Sequence, residues 1–241
     1  MTQVLLAGVI FFAAHLVSTT TGFGSNVLGL PLLALVVGLE PGKQSLIVLG
    51  AVLYTYMTLR WWRRVDGREL AFIFLVTGVG LIVGMTAAAH LDRRMSTIVL
   101  ALFIIAVGMR GLLNTAPDVR APKWAAQVLL FLGGVVHGAF TTGGPLLTVY
   151  CRRALPHKSV FRATLAVMWL LLAIGLIVGW TLQHAWDPRT LRVSLIGLPF
   201  MIAGLVAGEH LHHRVDERGF RAAVNLTLIA TGVILLLTPV K

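Results

Sequence analysis

Residues 15–33 read HLVSTTTGFGSNVLGLPLL, and a shorter version returns at residues 137–147 as HGAFTTGGPLL. In each stretch an apolar segment carries one histidine and then meets a tip of threonine and glycine. A short apolar segment with a proline follows. Backbone leaves helical geometry at membrane depth only where it is buried in protein or lines a watery cavity. Paired interrupted segments point to the substrate site of a transporter, so the sequence predicts a small membrane transporter.

The composition supports a membrane location. The chain has 241 residues, of which 57% are hydrophobic and 12% charged, and its mean hydropathy is +0.88. A soluble domain carries roughly a quarter charged residues. The net charge of +11 comes from basic residues in short loops beside apolar segments, which is a topology signal and not a nucleic-acid surface. The one cysteine, Cys151, excludes an intrachain disulfide and a CxxC redox site.

The apolar segments divide the chain into two similar halves. A span needs about 20 residues, and the segments 27–39 and 144–153 are too short, so we interpret them as the returning arms of two hairpins. The first predicted repeat, 1–118, contains a hairpin at 4–39 and spans at 44–62, 69–89 and 95–115. The second, 119–241, contains a hairpin at 124–153 and spans at 160–182, 188–207 and 220–238.

A hairpin returns the chain to its starting side, and three further crossings place the second half on the opposite side. The predicted fold is therefore an all-α polytopic membrane protein with two inverted repeats, each a broken helical hairpin plus three transmembrane helices. Most lysines and arginines lie in or beside loops 60–68, 116–123, 152–159 and 208–219. Those loops are predicted to be cytoplasmic, with both termini on the periplasmic side of the inner membrane.

The positions of the acidic residues limit the kind of substrate. All nine fall in loops or at the ends of apolar segments. A buried cation needs a counter-charge within the membrane, so the sequence disfavours a metal or sodium substrate held by carboxylates. We predict no metal site, no cofactor and no enzymatic activity, because no nucleophile–base set or carboxylate pair is present.

The hairpin tips have the opposite electrostatics. Each short arm begins with unpaired backbone N–H groups and the positive end of a helix dipole, and two such ends meeting near the midplane would bind an anion. The predicted substrate-binding residues are His15, Thr20, Thr21, Gly22, Gly24, Ser25 and Asn26 in the first hairpin, His137, Thr141, Thr142, Gly143 and Gly144 in the second, and Arg162.

Other interpretations of these residues stay open. The tip glycines could merely allow close helix packing, and the histidines could be hydrogen-bond donors between helices or a proton relay. Lys43 is expected to be a snorkelling cation at the interface, whereas Arg162 is expected to point into the bundle. The run from Gly78 to Gly84 could pack within one protomer or between two, which leaves a homodimer open.

These motifs resemble the TauE/SafE family of sulfite and organosulfonate transporters. The resemblance rests on Gly22-Phe23-Gly24-Ser25-Asn26 followed by a proline and leucines, on the motif from Thr142 to Leu146, and on Phe161-Arg162-Ala163-Thr164. It implies a secondary transporter for a small sulfur-containing anion, and the inside-negative membrane potential makes export the default direction. Ser25 and Asn26 depart from the family's glycine-rich tip, which bears on which anion fits.

The expected partners are this small anionic substrate and membrane lipid, with a coupling proton or sodium ion left open. The alternatives are an anion channel of the same fold and, less favoured, a divalent-metal carrier or a membrane enzyme.

Overall fold

A computed structural model describes residues 2–21, 25–113, 122–211 and 217–237. The described residues form ten α-helices and no β-strand. The helices are α1 (Thr2–Thr21), α2 (Ser25–Val36), α3 (Leu39–Trp61), α4 (Gly67–Ala89), α5 (Arg93–Leu113), α6 (Lys123–Phe140), α7 (Gly144–Ala154), α8 (Lys158–Leu182), α9 (Thr190–Leu211) and α10 (Glu217–Leu237), and a 3-10 turn, Trp62–Arg64, follows α3.

The predicted all-α polytopic membrane fold is confirmed, with each predicted segment matching one helix. The returning arms are short, as expected: α2 has 12 residues and α7 has 11. Five described helices, α4, α5, α6, α8 and α9, are long and apolar enough to cross a membrane. α6, predicted as a hairpin arm, is among them. Two helices that were predicted to span are not among them: α3, predicted at 44–62, has a more polar sequence, and α10, predicted at 220–238, contains the shorter apolar stretch Ala222–Leu237.

The helices group into two compact units that do not follow the two halves of the sequence. Unit 1 comprises Met1–Leu46, His90–Pro117 and Asp187–Lys241, and unit 2 comprises Ile47–Ala89 and Asp118–Trp186. Each unit therefore contains one hairpin together with helices from both predicted repeats. The repeat boundary near residue 118 and the inverted relation of the halves remain predictions.

In unit 1, the main helix contacts join α1 to α9 and α5 to α10. Glycines set the approach of α1 and α9. A Cβ added at Gly204 would meet the carbonyl oxygen of Phe12, and one added at Gly8 would meet the ring of Phe200. Small residues at four-residue spacing, here Gly204 and Gly208, let helix backbones approach closely in membranes.

In unit 2, α6 packs on α4 through glycines of both helices. Added Cβ atoms at Gly80 and Gly84 would collide with the backbone of α6, and those at Gly134 and Gly138 with the backbone of α4. Gly80 and Gly84 thus pack within the protomer, which is one of the two kinds of contact that the sequence left open for this run. Gly78 faces open space.

The two units use corresponding helix pairs. The long arm of the first hairpin, α1, packs on α9, the middle span of the second half, and the long arm of the second hairpin, α6, packs on α4, the middle span of the first half. A duplicated chain would produce this reciprocal pairing, and the internal repeat itself stays a prediction.

Candidate functional site

The second hairpin tip is a tight turn between α6 and α7. Thr141 follows the last residue of α6 in the left-handed region, with φ 58°, and its N–H donates to the carbonyl oxygen of His137 at 2.7 Å. This conformation is unusual for a β-branched residue. Such strain persists only where the surrounding structure enforces it, often at ligand sites.

Three side chains near this tip are buried without a hydrogen bond of good geometry. The hydroxyl of Thr142 and the indole N–H of Trp169 have no partner among the described residues, and the imidazole of His137 has only a weak contact with the Thr141 backbone. His137 is 4% exposed and Trp169 6%, and their ring centroids are 5.2 Å apart. Most buried polar groups in proteins are hydrogen-bonded, so this concentration of unpaired groups marks a candidate ligand site.

Backbone donors add to these side chains. The N–H groups of Thr142, Gly143 and Gly144 have no acceptor within the described part of the chain, and the first turn of α7 has no side-chain cap. Steric contacts exclude any larger residue at position 143, because an added Cβ would collide with the carbonyl oxygen of Gly133 and lie 2.9 Å from the Cβ of His137. Close approach of the tip to α6 therefore requires glycine here.

The first hairpin presents a different arrangement. His15 is buried, but its Nδ1 donates to the carbonyl oxygen of Phe11 at 2.8 Å. The hydroxyl of Thr19 donates to the carbonyl oxygen of His15 at 2.7 Å. In α2 the buried Ser25 hydroxyl donates to Oδ1 of Asn26 at 3.3 Å. His15 thus has a partner for one ring nitrogen, unlike His137.

The remaining predicted residues of this hairpin are less fully described. Gly22 and Gly24 lie outside the described residues. Thr20 and Thr21 end α1, and only their helical backbone is described. The structure therefore brings together His137, Thr141, Thr142, Gly143 and Gly144 in unit 2 and places His15, Ser25 and Asn26 in unit 1. A single site shared by the two tips stays a prediction.

Arg162 does not point into the bundle as expected. It is exposed in the first turns of α8, with its guanidinium carbon 5.0 Å from the ring centroid of Trp61, and this cation–π contact fixes it at the surface. Its neighbour Thr164 is the buried residue, whose hydroxyl accepts the N–H of Asp66 at 3.0 Å. A role for Arg162 in recruiting anions at the surface remains a prediction.

The expectation that Lys43 snorkels to the interface is wrong. Its side chain is 8% exposed and its Nζ forms an ion pair with Glu40 at 3.0 Å. The next residue, Gln44, is fully buried and accepts hydrogen bonds from the N–H of Asp187 and the hydroxyl of Thr190, at 2.9 and 2.6 Å. Lys43 and Gln44 are therefore buried and paired within unit 1, where exposure of the Lys43 charge was expected.

Asp187 and Arg189, just before α9, form an ion pair with each other. Two guanidinium nitrogens of Arg189 donate to the two carboxylate oxygens of Asp187 at 3.0 and 2.9 Å. These hydrogen bonds lower the pKa of the Asp187 carboxyl.

No group of three or more histidine, cysteine or acidic side chains placed to hold a metal ion occurs in the described ranges.

Trp169 is the candidate site residue that sequence reasoning missed. The other five tryptophans lie near the ends of apolar segments, where interfacial anchors belong. Trp169 lies in the middle of the segment 160–182, and this central position was the signal that distinguished it.

Comparison with known proteins gives a consistent result. The family model "Sulfite exporter TauE/SafE" matches residues 6–235. The chain is also 30% identical over 174 residues to "Probable inner membrane transporter protein TsaS" of Comamonas testosteroni, covering 71% of this chain and 73% of that protein. No solved structure matches the chain.

Proposed function

The chain belongs to the TauE/SafE family of membrane transporters, and we propose that it is a secondary transporter that exports sulfite or an organosulfonate. The long apolar helices make it an integral multi-pass membrane protein. The family and the matched relative are transporters, which agrees with the expectation that the chain is not an enzyme.

The observation that carries the proposal is the set of unpaired donors at the second hairpin tip. The hydroxyl of Thr142, the indole N–H of Trp169 and three successive backbone N–H groups are buried without acceptors among the described residues. Donors at a helix N-terminus favour negative charge. An anion would provide the missing acceptors, whereas α6, α7 and α8 contain no acidic residue that could bind a cation.

Energetics support export as the direction. An inside-negative membrane potential drives an anion outward by about 2.3 kcal/mol per charge per 100 mV. Export therefore needs no coupling ion, whereas uptake would require a proton or sodium ion. In the proposed mechanism, alternating access results from movement of one repeat against the other.

A thermal-shift screen of the purified protein in detergent tests the substrate class. The ligands are sulfite, thiosulfate, taurine, sulfoacetate, sulfate, acetate, chloride and several divalent metals. A ligand that binds only the folded state raises the melting temperature. We expect stabilisation by sulfite or a sulfonate, and loss of that stabilisation in Gly143→Val, whose side chain would collide with α6 and displace the tip.

The other outcomes of the screen are equally informative. Stabilisation by a divalent metal and by no anion would contradict the proposal and favour the metal-carrier alternative. No stabilisation by any sulfur-containing anion would also contradict it. An anion channel of the same fold is separated from a carrier by counterflow, since only a carrier exchanges labelled for unlabelled substrate with saturable kinetics.

A further inference from the structure

We propose that Trp169 is a substrate-binding residue and that the second hairpin tip binds one monoanionic sulfonate-type group, R–SO₃⁻ or hydrogen sulfite, in preference to a dianion. The inference rests on the proposed function, because it specifies the ligand of the same transporter. It adds a binding residue on α8 and a charge requirement for the substrate.

The surroundings of Trp169 support its assignment as a substrate-binding residue. Its ring lies beside those of His137 of α6, at a centroid distance of 5.2 Å, and Tyr54 of α3, at 6.5 Å. It belongs to the buried core of unit 2. A buried tryptophan usually finds an acceptor for its indole N–H, and an unpaired donor costs free energy. Here the N–H has no acceptor among the described residues.

The second hairpin tip can satisfy several acceptors at once. Its own donors are the hydroxyl of Thr142 and the N–H groups of residues 142–144, and Trp169, whose ring contacts His137, adds an indole N–H from α8. His137 adds an imidazole that donates from at least one nitrogen. A sulfonate group has three oxygens with two or more acceptor sites each, which matches this donor set better than the two oxygens of a carboxylate.

The distribution of charge supports the preference for a monoanion over a dianion. Every described lysine and arginine of unit 2 is exposed, whereas His137, Thr142 and Trp169 are buried. No buried lysine or arginine of unit 2 accompanies these groups among the described residues, and a helix N-terminus contributes the equivalent of only about half a charge. A monoanion therefore needs less compensating charge at this tip than a dianion. A dianion would leave buried charge uncompensated, which is costly.

Calorimetric titration of the purified full-length protein tests both parts. The ligands are methanesulfonate, a monoanion, and sulfate, a dianion of similar size. The variants are Trp169→Phe, which keeps an aromatic ring and removes the N–H, and His137→Ala. The matched control is Trp180→Phe, the same substitution at a buried tryptophan of the same helix.

We expect the wild type to bind methanesulfonate at least ten-fold more tightly than sulfate. Trp169→Phe should weaken methanesulfonate binding by about ten-fold or more, as expected for loss of a hydrogen bond to a charged group. Trp180→Phe should bind as the wild type does. If Trp169→Phe fails to fold, the indole N–H resonances of the wild type provide the second measurement. Methanesulfonate should shift one resonance, assigned to Trp169 through replacement of the other tryptophans.

The failures are distinguishable. If the wild type and Trp180→Phe bind methanesulfonate, His137→Ala does not, and Trp169→Phe keeps wild-type affinity, the assignment of Trp169 is wrong and the proposed function stands. An unshifted Trp169 resonance has the same meaning. If sulfate binds as tightly as methanesulfonate, the charge requirement is wrong. If the wild type binds neither these anions nor sulfite, the inference and the proposed function are both wrong.

Discussion

His15 and His137 occupy matching positions in the two sequence motifs, yet they differ in what their rings contact. His15 donates from Nδ1 to a carbonyl one turn back in its own helix, a common arrangement for a histidine that serves structure. His137 makes no hydrogen bond of good geometry from either nitrogen and lies against Trp169. The residue with unused hydrogen-bonding capacity is the stronger candidate for ligand binding.

His137→Ala is therefore expected to abolish sulfite-induced stabilisation while leaving the protein folded, because no hydrogen bond of good geometry joins the imidazole to the described residues. Thermal-shift measurements with and without sulfite check this. His210→Ala is the matched control, since His210 is exposed and its Nδ1 donates to the carbonyl of Val206. Wild-type stabilisation of a folded His137→Ala protein would remove His137 from the site.

At the scale of helices, glycine contacts determine how each hairpin is held. α6, which carries His137, approaches α4 so closely that backbone atoms occupy the space of the missing Cβ atoms at Gly80 and Gly84. This contact places the second hairpin tip within unit 2. Filling the space with a methyl group must separate the two helices or distort them.

Gly84→Ala is accordingly expected to lower the stability of the folded protein by about 1–3 kcal/mol, as overpacking of a close contact does. Gly78→Ala in the same helix is the matched control, because a Cβ there meets nothing within 4 Å. Melting temperatures of the two variants in detergent check the prediction. Equal melting temperatures would show that the α4–α6 contact is looser than described.

At the scale of the whole molecule, the two compact units cut across the two halves of the sequence. The reciprocal pairing of α1 with α9 and α6 with α4 gives each unit a hairpin supported by a helix of the other half. An inverted repeat requires opposite sidedness of corresponding loops, and loop charges predict which side each loop occupies.

Cysteine labelling in intact cells tests this sidedness. Cys151 is the one cysteine of the chain and is fully buried, so a membrane-impermeant maleimide reports on an introduced cysteine. Gly67→Cys, in a predicted cytoplasmic loop, should react only after permeabilisation, whereas His90→Cys should react in intact cells. Both positions are exposed. The reverse pattern would contradict the predicted topology.

The fold could be predicted from the sequence in large part, and the site less completely. Hydrophobic length and interruption fix where helices begin and end, which is why α2 and α7 were predicted as short arms. The pairing of α6 with α4 could not be predicted from the sequence, because a glycine run such as Gly80 to Gly84 is compatible with contacts either within or between protomers. Lys43 was misplaced because burial of its charge depends on Glu40 and on the packing of unit 1. A tryptophan in an apolar segment ordinarily indicates core, so Trp169 was overlooked.

The most direct test of the central claim is sulfite counterflow in proteoliposomes, comparing the wild type with His137→Ala. Vesicles loaded with unlabelled sulfite should accumulate labelled sulfite transiently and saturably through the wild-type protein, and His137→Ala should give the rate of protein-free vesicles. Absence of sulfite flux through correctly inserted wild-type protein, or undiminished flux through His137→Ala, would contradict a sulfur-anion carrier with its site at the second hairpin tip.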